Sequence, residues 1–159
     1  MINEGTRRMS LDSDLRELAR IPLFGALEYE ARRLLAFSAE TRILRRDDIL
    51  FRKAEASDGG YFLLAGELEI DGGDGLARKI RPPTLIGELA LITDTQRPAT
   101  VIAKSPSTVL KIPRQLFQRI LKEHPRSAMQ TRTLIETRLT AFARDLGDAR
   151  NRNFLDVTT

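Results

Sequence analysis

Ile86-Gly87-Glu88-Leu89-Ala90-Leu91-Ile92-Thr93-Asp94-Thr95-Gln96-Arg97-Pro98-Ala99-Thr100-Val101 is the stretch on which the reading of this chain turns. A short apolar helix, Glu88 to Ile92, stands between a Gly-Glu pair and an arginine. The start of a helix presents backbone amides that no intrahelical carbonyl uses, and its dipole favours negative charge. Arg97 adds a planar guanidinium suited to bidentate contact with an anion. Glu88 adds a carboxylate able to accept from a hydroxyl. Together these groups suit a small ligand carrying both an anionic and a hydroxyl face.

On both sides of this stretch the hydrophobic period is that of strands. Thr41 to Arg45, Ile49 to Phe51, Tyr61 to Leu64 and Glu67 to Ile70 are short runs rich in strand formers. Asp71-Gly72-Gly73-Asp74-Gly75 is a turn signal, since Gly and Asp tolerate positive φ, and pairing resumes from Ala77 to Ile80. Pro82-Pro83 interrupts it. Ala99 to Ala103 and Thr108 to Ile112 supply two more strands. Helical signals lie outside this block. Ser10 to Asp14 reads as a helix start ahead of Leu15, Leu18 and Ala19, and Pro22 ends or redirects that helix. Leu27 to Phe37 reads as a second helix. Pro113 is expected to open a third at its first position, with Leu116, Phe117, Ile120 and Leu121 as its apolar stripe. Pro125 breaks it, and a long helix is expected over Ser127 to Asp148. The order predicts an α+β domain: a rolled, jelly-roll-like antiparallel β-roll with N-terminal helices before it and two helices after it. The domain is expected over residues 10–148, between an N-terminal tail (1–9) and an aperiodic, loose C-terminal tail (149–159).

The motif Gly-Glu-Leu-Ala-Leu, five residues, then Arg-x-Ala-Thr-Val resembles the phosphate-binding cassette of cyclic-nucleotide-binding domains, the β-roll of catabolite activators and protein-kinase regulatory subunits. Leu18 to Phe24 resembles the family's opening segment. Phe51 to Glu67 resembles its strand-turn-strand signature, and Gly66 matches the glycine before the next strand. The resemblance spans about residues 15 to 146. It implies that Glu88 accepts the ribose 2′-hydroxyl and that Arg97 pairs with the exocyclic phosphate oxygens. It implies that Gly87 lets the backbone approach the sugar, that amides around Leu89 and Ala90 point at the phosphate, and that Ala99 lines the pocket floor. Thr131, Arg132 and Ile135 lie where the base contact would arise. The same residues also admit plainer roles. Glu88 and Arg97 can pair with each other across the small helix, Gly87 can be a turn glycine, and Leu89, Leu91 and Ile92 can be core packing.

The chain departs from the family at four positions. Ala54, Glu55 and Ser57 stand where the family prefers Gly, Asp and Gly. Pro98 stands where it usually supplies an N–H to the phosphate, and proline has none. A hydrogen bond to a charged group contributes about 1.5–3 kcal/mol, so its loss weakens affinity about ten- to a hundredfold. That predicts a weakened or rearranged site rather than a dead one. In the family's guanine-selective members a threonine often stands at this position and reaches the purine; Pro98 cannot, so the resemblance favours cyclic AMP over cyclic GMP. The alternative is a degenerate fold without nucleotide, acting as a dimerisation or interaction module.

Bulk properties narrow the remaining classes. A chain of 159 residues is long enough to bury roughly 70% of its unfolded surface without a staple. The absence of cysteine excludes disulfides and thiolate metal sites and fits the cytoplasm. The net charge of +4 comes from scattered arginines among acids, a solvated surface rather than a polyanion groove. His124 is the only histidine and sits at a helix end, so neither a metal site nor a catalytic set is expected. The first fourteen residues predict no secretory leader, and no apolar run predicts a membrane span. Only a short polar tail follows Leu146, which leaves no room for a helix-turn-helix, so direct sequence-specific DNA binding is not expected. Ile135, Leu139, Phe142 and Leu146 form a seam at spacings of four, three and four that predicts a homodimer through the last helix. The expected function is a sensor domain, not an enzyme, that binds cyclic AMP and signals to an unidentified effector protein.

Overall fold

The computed structural model describes residues 4–146 and 157–158, with side-chain surroundings described over 11–137 and at 140. Three helices open the chain: α1 (Glu4–Leu18), α2 (Pro22–Gly25) and α3 (Tyr29–Ser38). Eight strands follow: β1 (Glu40–Leu44), β2 (Ile49–Phe51), β3 (Gly59–Ala65), β4 (Leu68–Asp71), β5 (Arg78–Ile80), β6 (Thr84–Ile86), β7 (Thr100–Ala103) and β8 (Ser107–Pro113). A 3-10 turn, Leu89–Leu91, is embedded between β6 and β7. Helices α4 (Arg114–Glu123) and α5 (Pro125–Leu146) come next, and Val157–Thr158 forms β9. The strands make two antiparallel sheets, in the orders β1-β8-β3-β6-β9 and β2-β7-β4-β5, and the α+β roll expected from the periodicity is present.

The two sheets enclose one core and the helices cover another. Strand period two sorts the side chains between them. Tyr61, Leu63, Ile86 and Val109 point into the roll beside Phe51, Leu68, Ile70 and Val101. Their neighbours Phe62, Leu85, Leu110 and Ile112 point the other way, against Leu18, Phe24, Leu35, Phe117 and Ile120 of the helices. Phe24 meets Phe62 and Phe117 edge to face, with ring centroids 6.4 Å and 6.3 Å away. Each buried aromatic of this kind contributes about 1.5–3 kcal/mol through area alone. The three rings tie α2, β3 and α4 into one body.

Several boundaries differ from expectation. Helix α1 begins at Glu4, so Ser10 to Asp14 lies inside it and most of the stretch expected as a tail is helical. Small polar residues favour a cap only where no helix continues through them. Here Leu11, Leu15 and Leu18, on one face, pack on the helical core instead. Pro22 opens the short α2, and the next helix starts at Tyr29 rather than Leu27. Pro113 ends β8 and is the N-cap of α4, with φ −62° and ψ 144°, rather than its first helical residue. Pro125 starts α5 instead of standing before it, because a first-turn proline has no intrahelical donor to lose. The C-terminal tail was expected to be loose, yet Val157 and Thr158 pair antiparallel with Ile86 and Leu85. The edge of β6 offers unpaired amides and carbonyls that an extended segment satisfies whatever its hydrophobic period. Leu139, Phe142 and Leu146 lie outside the described side chains, so the seam is placed only at Ile135, which packs on the helical core.

Two positions give testable energetics. Ala54 has φ +74°, a left-handed conformation that costs a residue with a Cβ about 1–2 kcal/mol. Ala54→Gly is therefore expected to raise the urea midpoint, with a net gain of about 0.5–1 kcal/mol once glycine's extra chain entropy is subtracted. An unchanged or lower midpoint would contradict this. Asp14 sits half-buried on α1, and burial pushes its carboxyl from 3.8 up to about 6. The folded state thus holds the proton more tightly than the unfolded one. The penalty of a half-buried carboxylate is present above pH 6 and is relieved as pH falls toward 4. Asp14→Asn is expected to stabilise the fold at pH 7.5 by about 1 kcal/mol, after discounting for solvent screening, and by almost nothing at pH 4. Thermal melts at the two pH values check it.

Candidate functional site

The cassette starts where β6 leaves the sheet. Gly87 turns the chain with φ +80°, a conformation glycine adopts without penalty. Glu88 is the residue before the 3-10 turn and is only 5% exposed. Within the turn, the amides of Ala90, Leu91 and Ile92 donate to the carbonyls of Gly87, Glu88 and Leu89. Leu91 is fully buried in the helical core and Ala90 is buried, while Leu89 is half-buried. The chain then crosses back along the segment before β3. Ser57 and Arg97 donate from their amides to the carbonyls of Thr95 and Glu55, Ala54 donates to the carbonyl of Arg97, and Ala56 bridges Gln96.

Arg97 points inward. It is 4% exposed, and its Nη2 donates to the Gly59 carbonyl at 2.7 Å. Its guanidinium carbon lies 4.2 Å from the Phe51 ring centroid and 5.6 Å from that of Tyr61. Two aromatic faces and a carbonyl are suited to holding a desolvated cation. Arg97 Nη1 reaches so far beneath Gly87 that a Cβ built there would stand 2.5 Å from it. The absent side chain at Gly87 therefore makes room for the guanidinium. Ala99 is fully buried in the roll, and Pro98 is half-buried between them.

Of the residues expected to form the site, Gly87 and Arg97 come together, Glu88 is buried next to Gly87 in the chain, and Ala99 packs inside the roll. Ala90 differs in one respect: its amide closes the 3-10 turn onto Gly87 at 3.1 Å rather than pointing outward. A 3-10 turn spends its third amide where an α-helix would leave it for a ligand. Of the three candidates for the base contact, Thr131 is fully buried with no hydrogen-bond partner for its hydroxyl, Ile135 packs on the helical core, and Arg132 is exposed. His124 caps α4, with Nδ1 4.0 Å from a Glu28 carboxylate oxygen. Among the described residues no group of acids and histidines could hold a metal.

Sequence reading missed the aromatic cradle of Phe51 and Tyr61. The signal available was their place on inward-facing strand positions, which reads as ordinary core. Asp58, which matches an aspartate of the family's strand-turn-strand signature, was not placed in the site; burial opposes its ionisation. The Lys111 ammonium at 3.1 Å and the field of Arg97 outweigh that and hold its carboxyl below the usual range. A cleft of about 660 Å³ runs between the exit of the small helix and α4, lined by Asp58, Thr93, Asp94, Arg114, Gln115 and Gln118 among others. It does not include Gly87, Glu88 or Arg97.

The Gly87–Arg97 contact gives a paired test. Gly87→Ala meets both backbone strain and Arg97, whereas at Gly73, also at positive φ, an added Cβ meets only Lys53 Nζ, at 3.6 Å, apart from its chain neighbours. Gly73→Ala is expected to cost about 1–2 kcal/mol from strain alone. Gly87→Ala is expected to cost at least about 1 kcal/mol more through the overpacked guanidinium. Equal losses in chemical denaturation would contradict the packing of Arg97 beneath residue 87.

Comparison with known proteins bears on the family and the fold. The family model described as the cyclic nucleotide-binding domain matches residues 41–124. The chain is 30% identical over 114 residues to lysophospholipase nte1 of Neurospora crassa, covering 69% of this chain and 8% of that protein. It is 30% identical over 117 residues to the cAMP-dependent protein kinase regulatory subunit of Yarrowia lipolytica, covering 72% of this chain and 30% of that one. The chain thus spans only a small part of these relatives. Among solved structures, a cyclic nucleotide-binding-like protein from Brucella abortus superposes with a TM-score of 0.64 at 35% identity, covering 69% of this chain and 98% of that one. A roll with an inward arginine beneath a Gly-Glu turn, matched by the family model over more than half its length, places this chain in the cyclic nucleotide-binding domain family.

Proposed function

We propose that the chain binds cyclic AMP in preference to cyclic GMP and acts as a cytoplasmic, non-enzymatic sensor that signals to a protein partner, as a homodimer through α5. The observation that carries the reading is the inward, cradled guanidinium of Arg97 beneath Gly87. Arg97 would take the exocyclic phosphate oxygens, with amides near Leu89 supporting them. Glu88 would accept from the ribose hydroxyl. Ala99 would leave room on the floor, and Pro98 would supply no donor. Ligand would act by population shift, drawing the small helix inward so that Leu91 repacks against Phe117 and Leu121. It can move that equilibrium only by its difference in affinity for the two states. No helix among the described residues is long and apolar enough to cross a membrane.

The second reading is a degenerate domain that works as an interaction module without nucleotide. Pro98, and alanine in a left-handed conformation at position 54, favour it.

Calorimetric titration of nucleotide-free protein separates the two. Cyclic AMP is expected to bind more tightly than cyclic GMP. Arg97→Ala is expected to weaken binding by about 2–5 kcal/mol, or roughly thirty-fold to several thousand-fold. Pro98→Ser, which restores the amide, is expected to tighten it about ten- to a hundredfold. No heat with either nucleotide, and none gained by Pro98→Ser, would leave the module reading.

A further inference from the structure

Outside the cassette, a dense set of polar contacts centres on Arg114, the first residue of α4. Its side chain is 19% exposed. Nε donates to the Ala90 carbonyl at 2.7 Å. Nη2 donates to the Ser57 carbonyl at 2.8 Å and to Ser57 Oγ at 3.3 Å. Its backbone amide donates to the Asp58 carbonyl at 2.7 Å. Ser57 is itself buried, and both its amide and its hydroxyl donate to the Thr95 carbonyl, at 2.9 Å and 2.6 Å.

These bonds meet a need set by the 3-10 turn. The amides of Ile92 and Thr93 both donate to Leu89, so the next carbonyl, that of Ala90, receives no donor from the turn. A carbonyl at a helix end carries partial negative charge and is satisfied by a cation from outside. Arg114 fills that place and also reaches Ser57. Ser57 in turn grips Thr95, beyond the loop of residues 92–94. One guanidinium therefore spans the small helix, the segment before β3 and the start of α4. A lysine, with a single point charge, has no planar fork to bridge the Ala90 and Ser57 carbonyls in this way. Ser57 also gives a physical role to a departure from the family preference, because glycine at 57 would keep the amide bond to Thr95 and lose the hydroxyl.

We propose that Arg114, seated by Ser57, is the positioning residue that links the small helix to α4, so that displacement of Ala90 is transmitted to the C-terminal helices through hydrogen bonds as well as through the apolar contact of Leu91. The link itself is a property of the nucleotide-free chain. Only the stimulus that moves it rests on the nucleotide reading above.

Amide hydrogen exchange on the 159-residue chain tests both parts. Without nucleotide, Arg114→Gln and Arg114→Lys are each expected to speed exchange at residues 90–93 and at the amide of Ser57 at least tenfold, with β3 and β8 changed less than twofold. Ser57→Ala, a smaller change that keeps the guanidinium, is expected to give an intermediate increase. With saturating cyclic AMP, wild-type protein is expected to change exchange in both the small helix and α4, and Arg114→Gln to lose at least half of the α4 response. Three results would overturn the proposal: wild-type rates at 90–93 in Arg114→Gln, acceleration spread evenly over the sheet, or full rescue by lysine. An undiminished α4 response in Arg114→Gln would overturn transmission through the bracket. If wild-type protein ignores cyclic AMP, the nucleotide reading and the transmission step fall together. The nucleotide-free rates then decide the link alone.

Discussion

The cassette is organised around a buried positive charge. Moving a guanidinium out of water is expensive unless the interior replaces its hydration. Here the Gly59 carbonyl, the Phe51 face and the more distant Tyr61 face supply part of that replacement. Independently of the charge, Gly59, whose carbonyl accepts from Arg97, sits so close to β8 that an added Cβ would overlap the Ile112 carbonyl, so β3 begins with a residue that has no side chain. The requirement of the charge itself spreads outward. Gly87 must lack a side chain to leave space for Nη1. Phe51 must face inward from β2, which sets the pairing of that strand with β7. One charged side chain thus constrains the glycine at 87 and the inward facing of Phe51 on β2.

The same arrangement explains why the site sits at a junction between two cores. β3 sends Tyr61 to the roll and Phe62 to the helices, and β6 divides Ile86 and Leu85 in the same way. The small helix continues the division. Leu91 belongs to the helical core, while Gly87 lies against Arg97 at the edge of the roll core. A ligand that changes the position of the turn would alter packing on both sides at once. Close-packed interiors respond to such a change by switching arrangement rather than by stretching. The apolar contact of Leu91 and the hydrogen bonds of Arg114 leave the turn by different routes and reach the same helix, α4.

Fold and site were legible to different depths. The β-roll was readable because strand patterns, the Asp71–Gly75 turn and the cassette all agreed, and each rests on local chemistry. Gly87, Glu88 and Arg97 could be singled out because the run that holds them resembles the family's phosphate-binding cassette. The cradle was not readable: Phe51 and Tyr61 alternate like any core residues, and only folding brings them over one guanidinium. The extent of α1 was hidden because Ser10 to Asp14 carries cap chemistry within a segment whose leucines pack at helical spacing. Val157 and Thr158 have no periodic context, and an edge pairing made by backbone atoms leaves no side-chain signal.

Local sequence determined which segments are strands, where glycine permits a sharp turn, and which residues form the Gly-Glu and Arg-x-Ala-Thr-Val runs, because those properties depend on neighbours only a few residues away. Tertiary structure alone decided that Arg97 points inward, that Ala90 spends its amide on the turn, and that Arg114 and Ser57 converge on it. Those outcomes depend on how charges and carbonyls distant in the chain satisfy one another once water has been excluded, and short-range pattern carries no record of that.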